Sequence, residues 1–111
     1  MRDSLANLPE LEETCSRSFE LGAMPVFHYV EFNREQAIKV LEEASECTEA
    51  AKKAINDDSL DVSIFYYDML SEAADVCQAL CNLLFAAGVS PEEWKAELEA
   101  CIKRNRLRGR F

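Results

Sequence analysis

Residues 60–87 read LDVSIFYYDMLSEAADVCQALCNLLFAA and form the most apolar stretch of the chain. A helix built from this stretch carries apolar side chains on almost every side, so it must be buried over most of its surface. Such burial requires either a helical bundle or a second subunit. The stretch therefore predicts a buried helix over about 60–87 and an all-helical protein.

A second helix is predicted after the buried one. Gly88 is a typical helix stop, and Ser90, Pro91 and Glu93 occupy the N-cap, first-turn and capping-box positions of a new helix. We expect this helix to run from 91 to about 106.

A third helix is predicted before residue 60. Asn33 is a good N-cap, and apolar residues recur at spacings of three and four from 34 to about 55. The polar sequence NDDS at 56–59 then ends the pattern. This segment is predicted to be an amphipathic helix.

The first 33 residues give a weaker pattern. Pro9 and Gly22 suit the start and end of a short helix over about 8–21, and residues 22–33 read as an extended connection. The connection holds Phe27, His28 and Tyr29. These aromatic side chains either pack against the protein or stack on a bound aromatic ligand, and packing is the commoner outcome.

Length and composition favour one domain. The chain has 111 residues with only three glycines and three prolines, which predicts a single all-α domain over 1–111 with residues 1–33 as an N-terminal extension. A core of this size is small. We therefore expect a four-helix-type bundle that is completed by subunit association.

The charge of the chain excludes one class of partner. It has 21 acidic and 12 basic residues, a formal net charge of −9, and five of the bases lie in the last nine residues. The acidic body repels nucleic acid, so nucleic-acid binding is not expected. The basic tail either is solvated or closes over a small anion. Because no signal peptide or membrane-spanning apolar run is seen, we expect a cytoplasmic protein without membrane contact.

Cysteine spacing offers one metal hypothesis. Cys77, Cys81 and His28 can be imagined as a zinc site, but structural zinc needs four ligands at tight loop spacings that this sequence lacks. The five cysteines are better explained as small buried apolar side chains in a reducing compartment.

Acidic side chains interrupt the apolar helices in a regular way. On a helical wheel, Asp68, Glu72, Asp75 and Asn82 lie within about 80° of one another. On the preceding helix, acids at 42, 46 and 49 form one row, and Glu43 lies three residues from Glu46. If the two helices pack antiparallel through these faces, at least four carboxylates converge.

Converging carboxylates need a compensating cation. Lys39 is the nearest base, and buried carboxylates without a partner are strongly destabilising. Ligands that are all oxygen favour Mg²⁺ or Mn²⁺ over zinc. The alternative is a solvated acidic face. Taken alone, this is the stronger interpretation for Glu42, Glu43 and Glu49, because Lys52 and Lys53 lie within ion-pair spacing of Glu49. It is the weaker one for Glu72 and Asp75, whose helix is apolar on most sides.

These motifs resemble a known family. Glu42-Glu43-x-x-Glu46, followed after 25 residues by Glu72-x-x-Asp75, is similar to the EExxE…ExxD signature of the MazG-like all-α nucleoside triphosphate pyrophosphohydrolases. The resemblance covers about residues 34–110 and includes Lys39, Asn82 and the closing basic tail. Residues 1–33 show no match, and Val76-Cys77-Gln78 departs from the pattern expected of a phosphoribosyl-ATP enzyme.

The resemblance implies roles for individual residues. Glu43, Glu46, Glu72 and Asp75 would bind Mg²⁺, Glu42 and Glu43 would act with Lys39 in catalysis, and Asn82, Lys103, Arg104 and Asn105 would contact the nucleotide. The implied reaction is attack of water on the α-phosphorus of a (deoxy)nucleoside triphosphate, which gives the monophosphate and pyrophosphate. The family also implies a homodimer or homotetramer and often removes surplus or non-standard nucleotides. The alternative from another class is a non-enzymatic acidic helical module that binds or regulates a partner protein.

Overall fold

The computed structural model describes residues 17–57 and 64–111, and three α-helices occupy most of these two ranges. They are α1 (Arg34–Asn56), α2 (Ile64–Ala86) and α3 (Pro91–Leu107). The described ranges contain no strand, so the all-α prediction is confirmed. The predicted start of the second helix, near residue 60, lies outside the described residues.

The first helix begins where its N-cap predicts. Oδ1 of Asn33 accepts a hydrogen bond from the backbone N–H of Gln36 at 2.9 Å, which satisfies one of the unpaired donors of the first turn. Glu35 places a negative charge in the same turn, where it interacts favourably with the helix dipole.

The turn between α2 and α3 depends on two local features. Gly88 has φ +79°, a left-handed conformation that residues with a Cβ adopt with strain. Ser90 and Glu93 then form the predicted capping box: Oγ of Ser90 accepts from Glu93 N at 3.1 Å, and Oε1 of Glu93 accepts from Ser90 N at 2.9 Å. These contacts fix the start of α3.

Residues 22–88 form one compact unit, which we call the hairpin unit. It contains α1 and α2, which pack against each other. Gln36, near the start of α1, shares a cleft with Asn82, near the end of α2, whereas Lys53 and Phe65 share another cleft at the opposite ends of the helices. The two helices are therefore antiparallel, as the sequence argument required.

Few described side chains are fully buried. Ala50 and Ala79 are the buried apolar residues, and Asn82 is the buried polar one. Large apolar side chains of the two helices remain exposed, namely Ile38, Leu41, Ile55, Ile64, Tyr66, Tyr67, Leu70 and Phe85. The almost complete burial predicted for α2 is thus not reached within one chain, and the four-helix core completed by association stays a prediction. Within the described residues, no helix has the length and apolarity needed to span a membrane.

Residues 17–21 and 89–111 belong to a second compact unit, which contains α3. Residues 17–21 have no regular secondary structure, so the predicted helix over 8–21 is wrong for this part, and its remainder lies outside the described residues. Phe19 and Leu21 are both exposed. A short helix without a buried face is marginal in water, which explains the difference. Residues 22–33 are irregular, as predicted.

Candidate functional site

Three carboxylates converge between α1 and α2. One oxygen each of Glu43, Glu46 and Glu72 lies within 4.8 Å of the other two, and we call these residues the acidic cluster. The convergence follows from the antiparallel packing, because the two acids on α1 are three residues apart and so share a face that meets Glu72. The structure therefore brings together three of the four predicted metal ligands.

Glu72 is the member of the cluster whose negative charge is least compensated. Its Oε2 is buried and has no hydrogen-bond partner among the described residues. Loss of water around the side chain raises the pKa of Glu72, and the neighbouring carboxylates of Glu46, Asp75 and Glu43 raise this pKa further. An ionised Glu72 is thus destabilised unless a proton or a cation compensates it.

Lys39 provides partial compensation. Its Nζ lies 3.3 Å from Oε1 of Glu43, one turn further along α1, and the Glu43 side chain is only 13 % exposed. The hydrogen bond to Glu43, together with the charges of Glu42, Glu43 and Glu46, raises the pKa of Lys39. The lysine therefore stays charged beside the cluster at neutral pH.

The other predicted acids lie around the cluster. Asp75 is exposed, lines the same cleft as Glu43, and is close enough for its charge to act on Glu72. Glu42 is exposed and acts on Lys39 by its charge, but it is not part of the cluster. Glu49 forms an exposed ion pair with Lys52 at 3.1 Å, so the solvated-face interpretation holds for this residue.

The cluster borders two clefts of the hairpin unit. The larger, which we call the amide cleft, has a volume of about 590 Å³. Its lining includes the acids Glu43 and Asp75, and also Phe27, Tyr29, Gln36, Gln78 and Asn82. The smaller cleft, of about 370 Å³, is lined by Glu46, Glu72 and Asp68 among others. The acidic stripe predicted on α2 is therefore divided between two openings.

Asn82 and Gln78 hold the connection over 22–33 against α2. Oδ1 of Asn82 accepts from the backbone N–H of Phe27 at 3.2 Å and from Nε2 of Gln78 at 3.1 Å. Nε2 of Gln78 also donates to the backbone carbonyl of Pro25 at 2.8 Å. Asn82 is 2 % exposed. The residue predicted to bind nucleotide thus also anchors a wall of the cleft.

The predicted tail residues lie on α3, in the other compact unit. Lys103 and Arg104 are exposed there. Oδ1 of Asn105 accepts from Nη1 of Arg110 at 2.8 Å, and Nδ2 of Asn105 donates to Sγ of Cys101 at 3.5 Å. Asn105 is therefore engaged at the end of its own helix, and the nucleotide contacts of all three residues stay predictions.

The residues present fit a hard cation and not zinc. Across 17–57 and 64–111, the acidic cluster is the one group of three or more His, Cys, Asp or Glu side chains close enough to share an ion. Its donors are all carboxylate oxygens, the ligand type that Mg²⁺ and Mn²⁺ prefer. The described cysteines are free; three are half-buried and Cys101 is exposed, so burial is less complete than predicted.

Sequence reasoning did not select several residues that line the amide cleft. Gln78 is the main omission, although it lies one turn before Asn82 and extends the polar stripe of α2. Extending the helical-wheel arithmetic by one residue would have found it. Glu31, Asn33 and Gln36 also line the cleft, although the sequence marks Asn33 only as the N-cap of a helix.

Comparison with known proteins adds no relative: no family model, curated protein or solved structure matches the chain. The chemistry of the site therefore has to be inferred from its own residues.

Proposed function

We propose that the protein is a Mg²⁺-dependent nucleotide pyrophosphohydrolase, with Mn²⁺ as the alternative ion. In this proposal it cleaves a (deoxy)nucleoside triphosphate between the α and β phosphates. The observation that carries the proposal is the acidic cluster, in which Glu43, Glu46 and Glu72 converge and one oxygen of Glu72 is buried without a partner. A buried carboxylate oxygen without a partner, as in Glu72, is costly unless a proton or a cation compensates it.

Glu43, Glu46 and Glu72 would hold the ion, and Asp75 would join them from the edge of the amide cleft. When bound, Mg²⁺ supplies charge neutralisation for phosphate oxygens and polarises water for attack on phosphorus. The carboxylates supply the negative charge that a divalent ion needs. The single positive charge of Lys39 does not cancel that of the several acids, so the net charge of the site is negative. Ion binding would also offset the desolvation and the repulsion that raise the pKa of Glu72.

Lys39 and Glu42 supply the remaining chemistry of the proposal. Lys39 is half exposed and charged, so its ammonium group can contact a phosphate while it orients Glu43. Glu42 is exposed on the next turn from Lys39 and can accept a proton from the attacking water. Both roles require a substrate phosphate to lie beside Glu43, where the amide cleft opens.

Further parts of the proposal concern the rest of the chain. Lys103, Arg104 and Asn105 would contact the nucleotide, and the biological role would be removal of surplus or non-standard nucleotides in the cytoplasm. A homodimer or homotetramer is proposed because exposed side chains such as Leu41, Ile55 and Phe85 leave much apolar surface in water.

The experiment is a substrate panel. Ribo-, deoxy- and modified nucleoside triphosphates and phosphoribosyl-ATP are incubated with the full chain and Mg²⁺ or Mn²⁺, and pyrophosphate is measured. We expect release from at least one triphosphate, and loss of at least a hundredfold in rate for Glu46→Gln and Asp75→Asn. Glu49→Gln is the matched control, because Glu49 lies on the same helix but is paired with Lys52 on the surface.

Two results would contradict the proposal. One is an absence of hydrolysis across the whole panel with either ion. The other is full activity in both Glu46→Gln and Asp75→Asn. A thermal-shift titration then separates the enzyme from the non-enzymatic acidic module: an ion at a hundred times its dissociation constant stabilises the fold by about 2.7 kcal/mol. The module requires no such ion.

A further inference from the structure

The two amides of the amide cleft have fixed orientations. A backbone N–H only donates, so the atom of Asn82 that meets Phe27 N must be Oδ1; a backbone carbonyl only accepts, so the atom of Gln78 that meets Pro25 O must be Nε2. The bond from Gln78 Nε2 to Asn82 Oδ1 agrees with both assignments. The orientation of each side chain is thus set by backbone groups of the connection.

These bonds determine what the amides can offer a ligand. Gln78 uses both N–H groups of Nε2, on Pro25 and Asn82, so its remaining group is the acceptor Oε1. Asn82 uses Oδ1 for two hydrogen bonds, so its remaining group is the donor Nδ2. Both residues line the cleft, so the groups that they leave for a ligand are an acceptor and a donor one helical turn apart.

The same cleft has an aromatic wall. Phe27 is 60 % exposed and Tyr29 is 94 % exposed, although the backbone between Pro25 and Phe27 is tied to α2. Both residues line the cleft, whereas Phe32, which is on the same connection and also exposed, does not. Large aromatic groups beside a few directed polar groups are typical of sites for small organic ligands.

The spacing along α2 connects this wall with the acidic cluster. Asp75 and Asn82 both line the cleft and are seven residues apart, which is about 10 Å along a helix. A nucleoside phosphate has this scale from its base to its first phosphate. One molecule can therefore place a base beside the amides and a phosphate beside Glu43 and Asp75.

We infer that the amide cleft binds the base of a nucleotide, which stacks on Phe27 and Tyr29 while Gln78 Oε1 and Asn82 Nδ2 bond its edge. This inference rests on the proposed function for the position of the phosphates. The ligand class is a nucleoside phosphate with a planar heteroaromatic base, because every base has a face for stacking and an edge with adjacent donors and acceptors. A base-free polyphosphate would use only the acidic end of the cleft.

The test compares Phe27→Ala and Tyr29→Ala with the matched control Phe32→Ala. Binding of AMP, CMP, GMP and UMP, and of inorganic tripolyphosphate as the base-free probe, is measured by calorimetry on the full chain with Mg²⁺. We expect at least one mononucleotide to bind, and each cleft variant to weaken it roughly tenfold, the loss typical of one base-stacking side chain. Tripolyphosphate binding and the control should be unchanged.

Three outcomes would overturn the inference: no mononucleotide binds, the cleft variants bind nucleotide as well as Phe32→Ala does, or they lose tripolyphosphate equally. Failure of the proposed function gives a different pattern. If mononucleotides bind through Phe27 and Tyr29 but no triphosphate is hydrolysed, the base site is supported and the proposed reaction is wrong. If triphosphates are hydrolysed and neither Phe27→Ala nor Tyr29→Ala changes the KM, the reaction is supported and the base site is wrong.

Discussion

Nζ of Lys39 lies 3.3 Å from Oε1 of Glu43, one turn along α1, so an α1 carboxylate of the acidic cluster has a cation of its own. The pair differs from Lys52–Glu49 on the same helix, where both side chains are more than half exposed. The first pair relieves repulsion among converging acids, and the second is an ordinary surface contact.

Replacing Lys39 should have opposite effects on ion binding and on turnover. In Lys39→Met, a divalent ion loses a repelling neighbour and should bind more tightly, whereas substrate turnover should fall because a phosphate contact is lost.

Stability of the apo protein is a separate readout for the same variant. Without ion, Lys39→Met should unfold at a lower urea concentration than Lys52→Met. Since the pKa of Lys39 is raised above 10.5, its contribution to stability is present below pH 10.5 and is lost as pH rises through the raised value. If Lys39→Met and Lys52→Met lose the same free energy of unfolding, Lys39 contributes no more than an ordinary surface lysine.

Glu72→Gln should stabilise the apo protein at neutral pH. The raised pKa means that the folded state holds a proton on Glu72 more tightly than the unfolded chain does, so this contribution is present below the ordinary pKa of 4.5 and is lost as pH rises through the raised value. Urea unfolding in EDTA from pH 4 to pH 8 should therefore show a smaller decline for Glu72→Gln than for the native protein. Mg²⁺ should no longer raise the unfolding midpoint of the variant.

The control for this experiment is Glu49→Gln, which removes an exposed acid of the same helix pair. It should keep the native pH dependence and the native response to Mg²⁺. A Glu72→Gln protein that is less stable than the native one in EDTA at pH 7 would contradict the repulsion described for the cluster.

Asn82→Ala should destabilise the hairpin unit by about 1–3 kcal/mol, because it leaves the Phe27 N–H and one Gln78 donor without an acceptor. The free energy of unfolding from urea titration measures the loss. Amide exchange at Phe27 should also become faster, as its hydrogen bond is gone. Unchanged exchange at this amide would show that the connection is held by other contacts.

Ala79→Leu should cost about 1–3 kcal/mol, because Ala79 is buried on α2 and three more carbon atoms there must displace their neighbours. Ala74→Leu is the matched control on the exposed side of the same helix and should be close to neutral. Similar unfolding free energies for the two variants would show that the larger side chain is accommodated at Ala79 without displacing its neighbours.

Glu93→Ala should loosen the first turn of α3 in a pH-dependent way. The backbone and side-chain hydrogen bonds with Ser90 lower the pKa of Glu93, so its stabilising effect is present above pH 4.5 and is lost as pH falls through the lowered value. Amide exchange at Ser90 and Glu93 should be faster in the variant at pH 7, and the difference should shrink in acid. Ser90→Ala, which removes the other half of the box, should cost about 1 kcal/mol.

The helices were predictable because their ends are encoded locally. Asn33, Gly88 and the Ser90–Glu93 pair each act within a few residues of themselves, and the observed bounds follow them. The helix predicted over 8–21 is wrong for residues 17–21, because Pro9 and Gly22 indicate only where a helix can start and stop. Phe19 and Leu21 find no surface to bury, and that depends on the rest of the fold.

The site was predictable to the extent that it follows helical spacing. Residue separations of three and four placed Glu43 and Glu46 on one face, and antiparallel packing added Glu72. The tie from Gln78 to Pro25 was not predictable, because it joins residues 53 apart and requires the path of an irregular segment. The identity of an ion and of a substrate is not contained in spacing at all, so these stay proposals that the experiments above decide.

The anchor of the connection has a consequence for how this protein can diverge. Gln78 and Asn82 form hydrogen bonds with backbone atoms of Pro25 and Phe27, and these bonds involve no side chain of the connection. The side chains of Phe27 and Tyr29 can therefore be replaced by mutation while the backbone of the segment stays bound to α2. Under the proposed function, the residues that would contact the base are thus separate from the acids that would hold the ion, and base preference could change without altering the helices.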